Sequence, residues 1–267
     1  MKRLFFLSMP ILAMFVLGNC ILSKNVDDFD FQLPNKTFEV DVSLLGLSTT
    51  TDIQCSGAVD TCSQVNAALV CDKQAGYCTL AQNSTFPNID CSAQDICQSF
   101  GEVVHCDGSV CRAAVPLQLS ASVNLAEEVP ELKDVANLTF TEVRLKDLYM
   151  DIEVNSLGID LPPMDLYVGP DALATLTLDG DGNVTDMDVS KVGTIPVTPA
   201  GFTGRQEVDM SDAGRHSLTK RMKTPAVPFR FFLVAQIALD PGDPLPDLTA
   251  GQVQGVVSGH ATASLAR

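Results

Sequence analysis

Eight cysteines between positions 55 and 111 constrain this chain more than any other feature. They read Cys55-x6-Cys62-x8-Cys71-x6-Cys78, then twelve residues, then Cys91-x5-Cys97-x8-Cys106-x4-Cys111. The halves align: Cys-Ser opens each, the central spacing is eight in both, and an Asp follows each third cysteine (Asp72, Asp107). This is an internal duplication with a period of about 36 residues. Neither half, 55–78 or 91–111, has the apolar residues for a core of its own, so crosslinks must replace burial. Eight cysteines admit 105 pairings, whereas one four-cysteine unit admits three. We expect first-to-third and second-to-fourth bonds in each half: Cys55–Cys71, Cys62–Cys78, Cys91–Cys106 and Cys97–Cys111. Zinc, the rival use of clustered cysteines, favours paired knuckles two to four residues apart. Here Cys106 and Cys111 alone have that spacing, with His105 the one histidine in the cluster. We therefore expect no metal and no cofactor.

Disulfides imply an oxidising compartment, and the N-terminus supplies a route to one. Met1-Lys2-Arg3 is a basic head, and Leu4–Leu17 follows with no charged residue. That is the layout of a secretory signal. The run ends Leu17-Gly18-Asn19-Cys20. It resembles the lipobox of bacterial lipoproteins, whose cysteine is acylated and becomes the first residue, with Asn19 standing where Gly, Ala or Ser is usual. Lipidation at Cys20 also accounts for the ninth cysteine, since the other eight form an even set. An uncleaved anchor over Leu4–Leu22 and an ordinary cleaved signal are the alternatives. The resemblance implies a signal peptide at 1–19 and a lipidated N-terminus with a polar tether at 20–36. Ile21, rather than Asp, after Cys20 implies export to the outer membrane, facing the periplasm or the cell surface. The Cys91–Cys111 pattern similarly resembles the four-cysteine repeats of bacterial surface lipoproteins, a likeness that names no activity.

Charge narrows the partners. The chain carries 33 acidic and 17 basic residues, a net −16, and removing residues 1–19 takes it to −18. A nucleic-acid binder needs a basic footprint, so none is expected. The expected partners are the membrane, through the lipid anchor, and a protein.

Period-two alternation dominates the rest. Phe38, Val40, Val42 and Leu44 alternate with polar residues before the cysteines, and Val115 to Val123 alternate after them. Leu138–Leu145, Leu148–Val154, Leu173–Leu178, Val184–Val189, Gly193–Val197, Val227–Leu239 and Val253–Leu265 are further candidate strands. Many short strands with Pro, Gly and Asp between them predict an all-β chain, an antiparallel β-sandwich. A membrane barrel would need aromatic girdles, and three Tyr with no Trp cannot build them. The first strand (37–50) and the remainder (113–267) flank the cysteines, so 51–112 is expected to be an inserted disulfide-rich module. Its removal should leave the sandwich folded.

Two surface features invite functional readings. Asp179, Asp181, Asn183, Asp186 and Asp188 form an acidic loop around Asp-Gly-Asp-Gly. A tight hairpin tip explains it, and weak calcium binding is the alternative, although Thr177 occupies the first ligand position of an EF-type register. Arg215, Lys220, Arg221, Lys223 and Arg230 lie in a stretch with no acid between Asp212 and Asp240. There Ser211 would cap a short helix with Leu218 and Met222 on one face. The stretch is either a solvated helix or a basic contact patch for lipid phosphates or an acidic partner. His105, His216 and His260 show no catalytic motif, and we expect no enzyme. The expected function is a non-enzymatic outer-membrane lipoprotein that serves as a protein-interaction module. The alternative is a carrier holding a lipid or other apolar ligand, suggested by apolar residues on both faces of Val227–Leu239.

Overall fold

The computed structural model describes residues 28–41, 50–56, 61–65, 69–80, 85–92, 97–100, 103–133, 137, 139–179, 183–244 and 251–265. The chain is an all-β sandwich of antiparallel strands. One sheet has the order β1–β14–β8–β11, and β2 lies beside β1 along β14. Its strands are β1 (Asp28–Gln32), β2 (Lys36–Asp41), β8 (Phe140–Asn155), β11 (Gly204–Glu207) and β14 (Gln252–Leu265). The second sheet runs β12–β10–β9–β13–β7–β6. It consists of β6 (Val104–Asp107), β7 (Val110–Val123), β9 (Met164–Pro170), β10 (Ser190–Ile195), β12 (Asp209–Met210) and β13 (Phe229–Leu239). A small third sheet, β3–β5–β4, belongs to the first cysteine repeat: β3 (Thr50–Gln54), β4 (Leu69–Asp72) and β5 (Tyr77–Leu80).

The alternation seen in the sequence builds the core. Leu148, Met150 and Ile152 of β8 and Phe229, Phe231, Leu233 and Ile237 of β13 are buried between the sheets. Beside β8 in the first sheet, β14 contributes Val253, Val257, Ala261 and Ala263. The outer face of the first sheet is polar and solvated, as antiparallel sheets allow.

The outer face of the second sheet is not solvated. Phe232 and Val234 of β13 form a second, smaller core with Leu176, flanked by Leu173, Leu178, Val184 and Val189. Side chains sew this covering segment, residues 171–179 and 183–189 among those described, onto the sheet. The Gln118 amide donates to Leu176 O (3.1 Å) and accepts from Leu176 N–H (3.0 Å), as a backbone partner would. Ser120 Oγ donates to Ala174 O, and the Arg230 guanidinium donates to the carbonyl and carboxylate of Asp171. The apolar residues on both faces of β13 are thus covered by the chain itself.

Three expectations from the sequence change. The tether reading of 20–36 takes in residues 28–36, which belong to the sandwich: β1 pairs with β14, and Phe31 and Leu33 are buried. Phe29, Phe31 and Leu33 alternate with Asp28, Asp30 and Gln32, a strand pattern hidden by its polar half. Second, the two candidates Leu138–Leu145 and Leu148–Val154 merge into one strand over Phe140–Asn155, β8, with Leu138 outside the described residues. Third, β7 crosses position 112 without a break, pairing with β6 at its start and with β13 from Ala113 onward. The cysteine segment therefore has no boundary there.

The expected helix is present. In α3 (Asp212–Met222) the Ser211 hydroxyl accepts from Gly214 N–H at 3.0 Å, and Gly214, Leu218 and Met222 face inward. Two shorter helices are α1 (Thr61–Val65) and α2 (Leu125–Glu128). Among the described residues no helix is long and apolar enough to cross a membrane.

Candidate interaction surfaces

The four disulfides join Cys55–Cys71, Cys62–Cys78, Cys91–Cys106 and Cys97–Cys111, so no bond crosses between the halves. The duplication extends to the backbone. In each half the third and fourth cysteines face each other across a hairpin, Cys71 with Cys78 and Cys106 with Cys111. Each hairpin turns through a glycine at positive φ, Gly76 (77°) and Gly108 (68°), which only glycine adopts freely. The first cysteine of each half donates its N–H to a carbonyl two residues before the fourth: Cys55 to Gly76 and Cys91 to Ser109, both at 2.9 Å. The pair Gln54–Tyr77 recurs as Asp90–Val110.

The halves differ in what they rest on. In the second, the last strand continues as β7 into the sandwich, whereas buried residues of both halves, Cys62, Leu69 and Cys78 as well as Cys97, Val104 and Cys111, belong to one core. Arg112 reaches Asp107 (3.2 Å) and Asp240 beyond β13 (2.9 Å). Phe86, in the link between repeats, exchanges backbone bonds with Gly242 and Asp243. The first half stands on the second, with β3 lying against the helical turn at Cys97–Phe100. On the face of β4 and β5 opposite the disulfides, Val70 and Tyr77 are 43% and 38% exposed, with Asp72 beside them. That apolar face is not singled out in the sequence, because which residues share a face of the repeat depends on the pairing of β4 with β5.

The acidic loop is a hairpin among its described residues. Leu178 and Val184 form a bridge, and Asp179 N–H donates to Asn183 O. Its carboxylates satisfy the turn: Asp179 accepts from the Asn183 backbone and side chain, and Asp186 from Thr177 N–H at 2.6 Å. Asp188 lies instead beside α3 and the Arg221 guanidinium. Asp181 lies outside the described residues, as does Cys20.

The five basic residues separate. Arg215 donates to Leu145 O of β8 (2.8 Å), and Arg230 is bound to Asp171 on the far face of the second sheet. Arg221 donates to Asp188 O, and burial lowers the pKa of its guanidinium. Lys220 is exposed and Lys223 half-buried, at the C-terminal end of α3. No protein-family model and no curated protein matches this chain. The reading of these surfaces therefore rests on their chemistry. Of the histidines, His260 holds Asp147 through Nδ1 at 2.9 Å, beside the Tyr149 ring, while His105 lies on β6 and His216 on α3.

The sandwich has two distinct poles. At one, β1 begins, Asp28 facing Ser264, and Leu265 faces Phe140, whose N–H donates to Lys223 O at 2.8 Å. Val123, Phe229 and Pro170 mark the same pole in the second sheet. The crosslinked hairpin at Cys106–Cys111 lies at the other pole, at the far end of β7. With a strand rise of about 3.3 Å per residue, the fourteen residues of β7 separate the two by roughly 43 Å.

Proposed function

We propose that this protein is an outer-membrane lipoprotein without catalytic activity, acylated at Cys20, that holds a pair of disulfide-stapled repeats toward a protein partner. One observation carries this reading. The repeats occupy the pole opposite the one where the N-terminal segment joins the sandwich, and the outer repeat exposes an apolar strand face at Val70 and Tyr77. An apolar side chain on a crosslinked, rigid support loses little conformational freedom on binding, which favours recognition. The carrier reading loses its motivation, because Phe232 and Val234 are covered by Leu173–Val189.

Two measurements test the proposal. Intact-mass analysis of the membrane-extracted protein should find residues 1–19 removed and acyl mass on Cys20; an unacylated mature chain overturns the anchor. A photo-reactive residue at Tyr77, in intact cells, should yield a discrete protein adduct that Val70→Glu abolishes. The same probe at exposed Val197 should not. No adduct at Tyr77, or one indifferent to Val70→Glu, counts against the repeat as the binding surface.

A further inference from the structure

At the pole where β1 begins, the two most exposed large apolar side chains among the described residues lie beside the remaining basic ones. Met187 is 99% exposed and Val227 58%. Between them opens a cleft of about 400 Å³, lined by Lys220 and Arg221 and by the hydroxyls of Ser190, Ser217 and Thr224. Lys223 flanks it one turn on, and Asp188 is the one carboxylate in its lining. Of the five cations in 213–239, Lys220, Arg221 and Lys223 gather at this cleft, while Arg215 and Arg230 are held by Leu145 O and Asp171. A local cluster of cations on a chain of net charge −16 is the part of it that a negative surface attracts.

We propose that this pole rests on an anionic membrane surface, the cleft receiving a lipid head-group phosphate while Met187 and Val227 enter the interfacial layer. The inference builds on the lipid-anchor reading. Seven residues separate Cys20 from Asp28, and eight residue steps reach at most about 29 Å when fully extended. The pole where β1 begins is therefore held close to the bilayer, and the crosslinked hairpin, roughly 43 Å away along β7, points from it. Lys220 and Arg221 supply charge-assisted donors suited to a phosphate, and the three hydroxyls add neutral ones. Apolar side chains beside basic ones are the usual composition of a surface that lies in the interface.

The chain has no Trp, so Met187→Trp introduces a lone reporter. The full membrane-extracted chain carrying it is reconstituted into phosphatidylcholine vesicles with or without 30% phosphatidylglycerol, each also with brominated acyl chains. In the anionic vesicles the emission should shift to the blue and be quenched at least twofold by the brominated lipid. Val70→Trp, on the repeat, should show neither change. Adding Lys220→Glu and Lys223→Glu to the Met187→Trp chain should abolish the quenching while the protein still floats with the vesicles. Three results overturn the proposal and leave the anchor standing, provided the protein floats. These are equal quenching at positions 187 and 70, quenching that survives both charge reversals, and a rise in melting temperature with inorganic phosphate in the absence of vesicles, which would reassign the cleft to a free anion. A chain that neither floats nor carries acyl mass overturns the anchor reading and this inference together.

Discussion

Gly214 shows how one residue holds an element in place. It lies in the first turns of α3, where Ala would ordinarily stabilise a helix by about 1 kcal/mol. Here a Cβ would stand 2.0 Å from Val192 O and 2.6 Å from its carbonyl carbon, both backbone atoms of β10. The helix touches the sheet backbone directly, and neither atom can swing away. Gly214→Ala should therefore destabilise the protein by about 3 kcal/mol, the upper part of the range for overpacking, measured by urea unfolding. A neutral or stabilising result would show that α3 can lift from β10. The same contact fixes where Lys220 and Lys223 stand, two turns further along.

At the scale of elements, the covering segment 171–189 decides what β13 can do. Without it, Phe232 and Val234 would present an apolar face to solvent or to a ligand. Phe232 is fully buried, so Phe232→Ala should cost about 3–5 kcal/mol through lost burial and the cavity left behind. Gln118→Ala removes no core volume but strips Leu176 of both its backbone partners, and should cost about 1–3 kcal/mol. Limited proteolysis separates the two effects from global unfolding. Both variants should be cut within 171–189 before the remaining sandwich is attacked. Resistance there equal to the wild type would mean that the segment is held by something other than these contacts.

For the whole molecule, the cysteine repeats are unequal in their attachment, and deletions should reveal it. Thr50 pairs with Thr79 across β3 and β5, so the two ends of the first repeat lie side by side. Replacing 50–80 with a short Gly-Ser linker takes Cys62, Leu69 and Cys78 from the core but no strand from the two large sheets, and should leave a single cooperative melting transition within a few degrees of the wild type. Replacing 50–112 removes in addition β6 and the start of β7 from the six-stranded sheet, and Cys97, Val104 and Cys111 from the core. That deletion should lower the melting temperature by more than 10 degrees or abolish folding, since several buried side chains are lost together. Equal tolerance of both deletions would restore the picture of one removable insertion.

Local pattern sufficed for much of this. The cysteine spacing carried the duplication and its crosslinks, because a four-cysteine unit has few possible pairings and the two halves repeat each other. Alternation in 115–123, 227–239 and 253–265 was enough for strands, since side chains on a pleat face opposite sides every second residue, although β13 begins at Phe229 and leaves Val227 exposed. Ser211 marked the start of α3 because a cap needs only its own neighbours. What required the tertiary structure was everything that depends on which distant segment lies opposite. Asp28–Gln32 is a strand because β14 is there to pair with it. Val110–Arg112, paired with β6, belongs to the sandwich because the strand that begins there runs on beside β13 from Ala113. Phe232 is core because Leu173, Leu176, Leu178, Val184 and Val189 fold back over it, and Arg230 is a clasp because Asp171 comes with them. A sequence shows which residues avoid water, but the partner that excludes the water is chosen only when the whole chain has folded.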